Sequence, residues 1–84
     1  MNMKITTPKL LAQALKNARI EQNLSQQAVA ERVGIKQATV SSLENYPEKS
    51  RVETLYRLLS ALEIELTVSP RDRQPEATGW SDEW

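Results

Sequence analysis

The chain has 84 residues, with eleven Lys/Arg against eleven Asp/Glu and a formal charge of zero, enough for one small domain and no broad electrostatic grip on a polyanion. It has no cysteine and no histidine, which excludes a disulfide framework, a thiolate metal site and the commonest general base. No apolar run approaches the roughly 20 residues of a membrane span and no secretory leader is visible, so a cytoplasmic protein is expected.

The charge is unevenly spread. Residues 1–69 hold nine Lys/Arg against seven Asp/Glu, and residues 70–84 hold two against four. The expected domain, 1–69, is therefore mildly basic and the tail, 70–84, acidic, so contact with a polyanion would rest on local patches.

At the N-terminus, Lys4 can reach a phosphate or fray with the chain end. Thr7-Pro8 predicts a helix start, with threonine as N-cap and proline in the first turn. Leu11, Leu15 and Ala18 follow on one face, with Leu10 and Ala14 beside them, and the helix is expected to end near Gln22-Asn23. Leu24 links it to Ser25, a second N-cap. Val29, Ala30 and Val33 then form an apolar stripe, and Gly34 suits the positive φ of a helix end.

A further helix is expected from Lys36, with Val40 and Leu43 turned inward. Ala38, Ser41, Ser42 and Asn45 lie on the opposite face, with Gln37 at the flank. That outer face carries no Glu-Lys pairs and no large apolar group. Short hydrogen-bonding side chains around an alanine are what the major groove of DNA accepts.

After Tyr46-Pro47, Ser50 and Glu53 stand at capping-box spacing. Leu55, Leu58, Leu59 and Leu62 make a core stripe, with Val52 one turn earlier. From Glu63 to Ser69 the chain alternates: Ile64, Leu66 and Val68 on one side, Glu63, Glu65, Thr67 and Ser69 on the other. A lone strand leaves its backbone groups unpaired. Antiparallel pairing with the same segment of a second chain satisfies them, and an extended tail packed on its own domain is the alternative. Residues 70–84 show no apolar period and read as a disordered tail, yet they contain both tryptophans, Trp80 and Trp84. They read either as an aromatic docking peptide or as a tail with Trp80 folded back on the domain.

The run S-Q-x-x-x-A-x-x-x-G-I-x-Q-x-T-V-x-x-x-E, from Ser25 to Glu44, resembles the helix-turn-helix of phage repressors and Xre-like regulators. The adjoining K-Q-A-T-V-S-S-L-E-N-Y-P is similar to the HipB antitoxins, partners of the HipA kinase toxins. Many Xre-like sequences carry Asn-Gly after this helix; the Asn-x-Pro form here is nearer the HipB type. The resemblance implies an all-α, lambda-repressor-like domain with one C-terminal strand paired across a homodimer. It implies a DNA-binding repressor that controls its own operon and neutralises a HipA-like Ser/Thr kinase by complex formation, at work on the bacterial nucleoid. A plain Xre- or phage-type repressor with no toxin is the alternative, and a helix-turn-helix repurposed for protein contacts is a third reading.

Residue by residue, the resemblance assigns Gln26 to DNA phosphate and makes Arg19 and Glu44 a structural ion pair. Base readout is expected from Lys36, Gln37, Ala38 and Ser41, with Ser42 a further candidate and Lys36 equally suited to phosphate. Thr39, Asn45, Lys49 and Ser50 would meet the DNA backbone. Ile64, Leu66 and Val68 would form the dimer strand, and Trp80 and Trp84 would dock the toxin. Two reading helices about one DNA turn apart, roughly 34 Å, imply an inverted-repeat operator. No catalytic constellation, metal site or cofactor motif is present, so an enzyme is not expected.

Overall fold

The computed structural model describes residues 4–71. They fold into α1 (Pro8–Glu21), α2 (Gln26–Val33), α3 (Gln37–Asn45) and α4 (Val52–Leu62), with a 3-10 turn at Pro47–Lys49 before α4. The all-helical class follows from the two strongest starts and from the way the helices end.

The amide of Leu10 donates to Oγ1 of Thr7 at 3.1 Å, with Pro8 opening the helix behind it. The amide of Ala28 donates to Oγ of Ser25 at 3.0 Å. Each side chain satisfies one of the free amides that a helix N-terminus presents.

Three helices end in one way, with a residue in the left-handed region followed by an apolar one. Asn23 (φ 58°), Gly34 (φ 70°) and Glu63 (φ 58°) make the turn. The next residue then donates five positions back: Leu24 to the carbonyl of Arg19 at 3.1 Å, Ile35 to Ala30 at 3.0 Å, and Ile64 to Leu59 at 3.0 Å. This is the Schellman geometry, which satisfies orphan carbonyls and turns an apolar side chain back against the helix. Leu24 and Ile35 accordingly pack on the core.

That core joins Leu15 of α1, Val29 and Ala30 of α2, Val40 and Leu43 of α3, and Leu58, Leu59, Ala61 and Leu62 of α4. Ala30 is completely buried, at 0% exposure, as its small size allows where α2 meets its neighbours. Ala12, outside the expected stripe, is buried as well, while Leu10 lies at the surface.

Two expectations are corrected. Ser50 and Glu53 do not form a capping box: α4 begins at Val52 with Arg51 as N-cap and no side-chain capping bond. The amide that the box would need, that of Ser50, already donates to the carbonyl of Pro47 at 3.1 Å. Val52 is not part of the buried stripe; it stands at the first turn of α4 with 68% exposure.

Residues 63–69 form no strand within the chain. Glu63 closes α4, and 64–71 carry no ladder partner among the described residues. A strand exists through its neighbour, and the described residues of one chain supply none here; pairing across two copies is what the segment is expected to need. Ile64 and Leu66 are about two-fifths exposed and Val68 almost wholly so.

Candidate nucleic-acid interface

The turn at Gly34 sets α3 against α2, with Val40 and Leu43 buried at 1% and 2% exposure. Everything on the opposite side of α3 is therefore presented outward. Lys36, Gln37, Ala38, Ser42 and Asn45 are exposed, and Ser41 and Thr39 are half-buried. Asn45 donates its Nδ2 to Oγ of Ser41 at 3.2 Å, so the two lie together near the C-terminal end of that face. Lys36 is the N-cap of α3 rather than its first turn, and no side chain caps the helix. The N-terminus of α3, beside Lys36 and Gln37, is thus left without a side-chain cap, and a helix N-terminus favours an anion.

Lys49 and Ser50 come from the turn after α3. Lys49 is exposed, Ser50 half-buried, and the turn is closed by Lys49 donating its amide to the carbonyl of Tyr46 at 3.0 Å. Tyr46 itself, 60% exposed at the end of α3, adds an aromatic to this flank.

The expected pair of Arg19 and Glu44 is present. Arg19 donates from Nε to Oε2 of Glu44 at 2.7 Å and from Nη2 to Oε1 at 3.1 Å. Its Nη1 also donates to the carbonyl of Leu24 at 2.9 Å. The side chains are 12% and 4% exposed, so the fork ties α1 to α3 largely out of water.

The same carboxylate does a second job. Gln26, expected on phosphate, donates its Nε2 to Oε1 of Glu44 at 3.0 Å. Its own carbonyl oxygen accepts from Nε2 of Gln37. A chain of hydrogen bonds thus runs from the half-buried ion pair to the exposed amide at the start of α3. The sequence did contain a signal for it: two glutamines eleven positions apart, either side of the Gly34 turn, each on the first turn of its helix.

Trp80 and Trp84, expected to dock on a toxin, lie outside the described residues. None of the helices among the described residues is long and apolar enough to cross a membrane.

A buried prop, a left-handed turn and an outward polar helix define a helix-turn-helix protein. The family model for Helix-turn-helix matches residues 15–68. Antitoxin HipB of Escherichia coli O6:H1 strain CFT073 is 37% identical over 83 residues, spanning 96% of this chain and 88% of the relative. Antitoxin HipB of Escherichia coli K12 is 37% identical over 76 residues, 89% of this chain and 86% of the relative. Among solved structures, the HipA-HipB-O2-O3 complex contains a chain matched at TM-score 0.82 and 35% identity, covering 84% of this chain and 100% of that one. An XRE family transcriptional regulator matches at TM-score 0.61 and 42% identity, covering 83% of this chain and 80% of that one. The chain belongs to the helix-turn-helix family and, within it, to the HipB antitoxins.

Proposed function

We propose that the chain is a sequence-specific DNA-binding repressor and the antitoxin of a HipA-like Ser/Thr kinase, controlling its own operon and neutralising the kinase by complex formation. The observation that carries the DNA-binding part is the outward face of α3, with Gln37 held by Gln26 and, through it, by Glu44. Gln37 is suited to a bidentate bond with adenine N6 and N7, Lys36 to guanine O6 and N7 or to phosphate, and Ala38 to a thymine methyl. Ser41 and Ser42 follow one turn on. Gln26, Thr39, Asn45, Lys49 and Ser50 surround this patch as contacts to phosphate and sugar, which set register and not sequence.

Two copies pair through residues 63–69, where Ile64, Leu66 and Val68 are exposed in the single chain. The two-fold axis sets the reading helices about one DNA turn apart, roughly 34 Å, on an inverted repeat. The acidic tail beyond residue 69 offers Trp80 and Trp84 to the kinase. The chain acts by binding and not by catalysis, in the cytoplasm and on the bacterial nucleoid.

The likeness to an XRE family regulator supports a second reading, a repressor with no toxin. Co-purification with a kinase-sized companion distinguishes the two. Binding to a duplex from upstream of the chain's own gene, titrated across a salt series, tests the common core. A linear fall of log affinity with log salt is expected, with that duplex bound more tightly than random DNA at every salt. Equal binding to both would remove the operator-reading role.

A further inference from the structure

The C-terminal end of α4 is satisfied in an unusual way. An α-helix leaves its last four carbonyls without partners inside the helix. Here all four are taken. Those of Leu59 and Ser60 accept from the amides of Ile64 and Glu63, at 3.0 and 3.1 Å, within the turn itself. Those of Ala61 and Leu62 accept from side chains of two other helices: Nη1 of Arg32 on α2 at 2.8 Å, and Nε2 of Gln22 at the end of α1 at 2.8 Å.

The bond from α2 is returned. Arg57 on α4 donates its Nη1 to the carbonyl of Val33, the last residue of α2, at 3.2 Å. Each of these two helices therefore has its negative end met by a guanidinium from the other, where a cation is favoured. The half of the motif that leads into α3 and the point where 64–71 leaves α4 are held as one body.

We infer that Arg32 and Gln22 are positioning residues that fix the direction in which 64–71 leaves α4, and so set the spacing between DNA half-sites that the paired molecule accepts. The inference rests on the proposed pairing through 63–69. In such a dimer, half-site spacing is a geometric property of the protein. The connection from reading head to pairing segment passes through Glu63 alone, a single residue beyond the last turn of α4. The amides of Glu63 and Ile64 bond back to Ser60 and Leu59, and Ala61 and Leu62 are clamped from α2 and α1, so the start of the pairing segment moves with the end of α4 and that end moves with the reading head. Without the clamps each half still folds and still reads its own half-site, but the angle between halves loosens.

The test uses the full chain with R32M and Q22M combined; methionine keeps the apolar stem of each side chain and removes the donor. The probes are the inverted repeat that the wild type protects upstream of its own gene, the same duplex with one base pair added or removed at its dyad, and a single half-site. Wild type is expected to lose at least about tenfold in affinity on either change of spacing, the size of a poor site. The double variant is expected to lose less than about threefold while keeping wild-type affinity for the single half-site, and R32K is expected to restore part of the penalty. A spacing penalty equal to that of the wild type overturns the inference, as does a fall in half-site affinity that matches the loss on the full site. Q22M alone, changed at a surface position, carries the same test where the double variant does not fold. Sedimentation of the wild type is measured alongside. A monomer removes the pairing reading and this inference with it, whereas a dimer with an unchanged spacing penalty in the variants removes only the inference.

Discussion

Gln26 of α2 donates to Oε1 of Glu44 on α3 at 3.0 Å while accepting from Gln37. The exposed amide of Gln37 is therefore held in one orientation before any DNA arrives. Pre-ordering a side chain spares it the entropy that binding would otherwise cost, about 0.5–1.5 kcal/mol for a rotamer-rich group. Gln26→Ala removes that brace, and operator affinity should fall by about 1 kcal/mol even though Gln37 is intact. Residues that act through a shared bond are not additive. A double-mutant cycle of Gln26→Ala with Gln37→Ala, read by fluorescence anisotropy, should give a coupling of at least about 0.5 kcal/mol. Additive losses would mean that the brace does not matter to binding.

Gln37→Ala by itself should cost about 1–3 kcal/mol on the operator and relax the preference at one base position. Its effect on random duplex should be far smaller, since a phosphate contact would weaken both alike. Selecting binding sites from a randomised duplex with wild type and variant would show whether a single position loses its preference. A uniform loss over all sequences would assign Gln37 to the backbone instead.

Arg19 and Glu44 contribute to folding more than to contact. With side chains 12% and 4% exposed, neither charge can return fully to water when its partner is removed. Breaking such a pair from one side is expected to cost about 3 kcal/mol, well above the 0.2–1 kcal/mol of an exposed pair. Urea unfolding of Arg19→Ala and Glu44→Ala should show this, with the double variant less than additive. The exposed pair of Arg57 and Glu53, 3.6 Å apart on one face of α4, supplies the contrast: Glu53→Gln should shift the midpoint little.

Where a residue type carries its own local chemistry, the chain could be read directly. Thr7-Pro8, Ser25 and Gly34 mark helix ends through bonds to their immediate neighbours, and the structure has them all. The family motif led to Arg19 and Glu44 because it links positions that spacing alone cannot. What could not be read depends on distant neighbours. Nothing in the local sequence makes Glu63 left-handed; bonds to α4 from Gln22 and Arg32, 40 and 29 residues away from their acceptors, help to hold that end. Ser50 and Glu53 had the spacing of a cap, yet the turn at Pro47 had already taken the amide. The alternating pattern of 63–69 describes a surface that needs a partner, and the described residues of one chain hold no ladder partner for it.

Proline at position 66 should therefore act on assembly and not on the fold of the domain. Leu66 lies beyond α4 and is 41% exposed, so its loss removes little of the core. Proline lacks the amide that a cross-chain ladder needs. Light scattering of Leu66→Pro should give a monomer, with helical circular dichroism retained and affinity for the full operator reduced to that of a single half-site. A variant that remains dimeric would place the contact between copies elsewhere.

Glu63 offers a gain in stability. The left-handed conformation costs a residue with a Cβ roughly 1–2 kcal/mol. Glycine escapes that cost but loses about 0.5–1 kcal/mol more chain entropy on folding than an alanine would. The carboxylate also sits at the negative end of α4, where an anion is disfavoured. The carbonyls at that end accept from Arg32, Gln22 and the backbone amides of residues 63 and 64, none of which requires the Glu63 side chain. Glu63→Gly should thus raise stability by about 0.5–1 kcal/mol, some 2–8 °C in Tm for a domain of this size. The gain should persist in high salt, because relief of backbone strain is not screened while the charge contribution is. A lower Tm for Glu63→Gly would mean that the side chain stabilises the folded state by more than its backbone conformation costs.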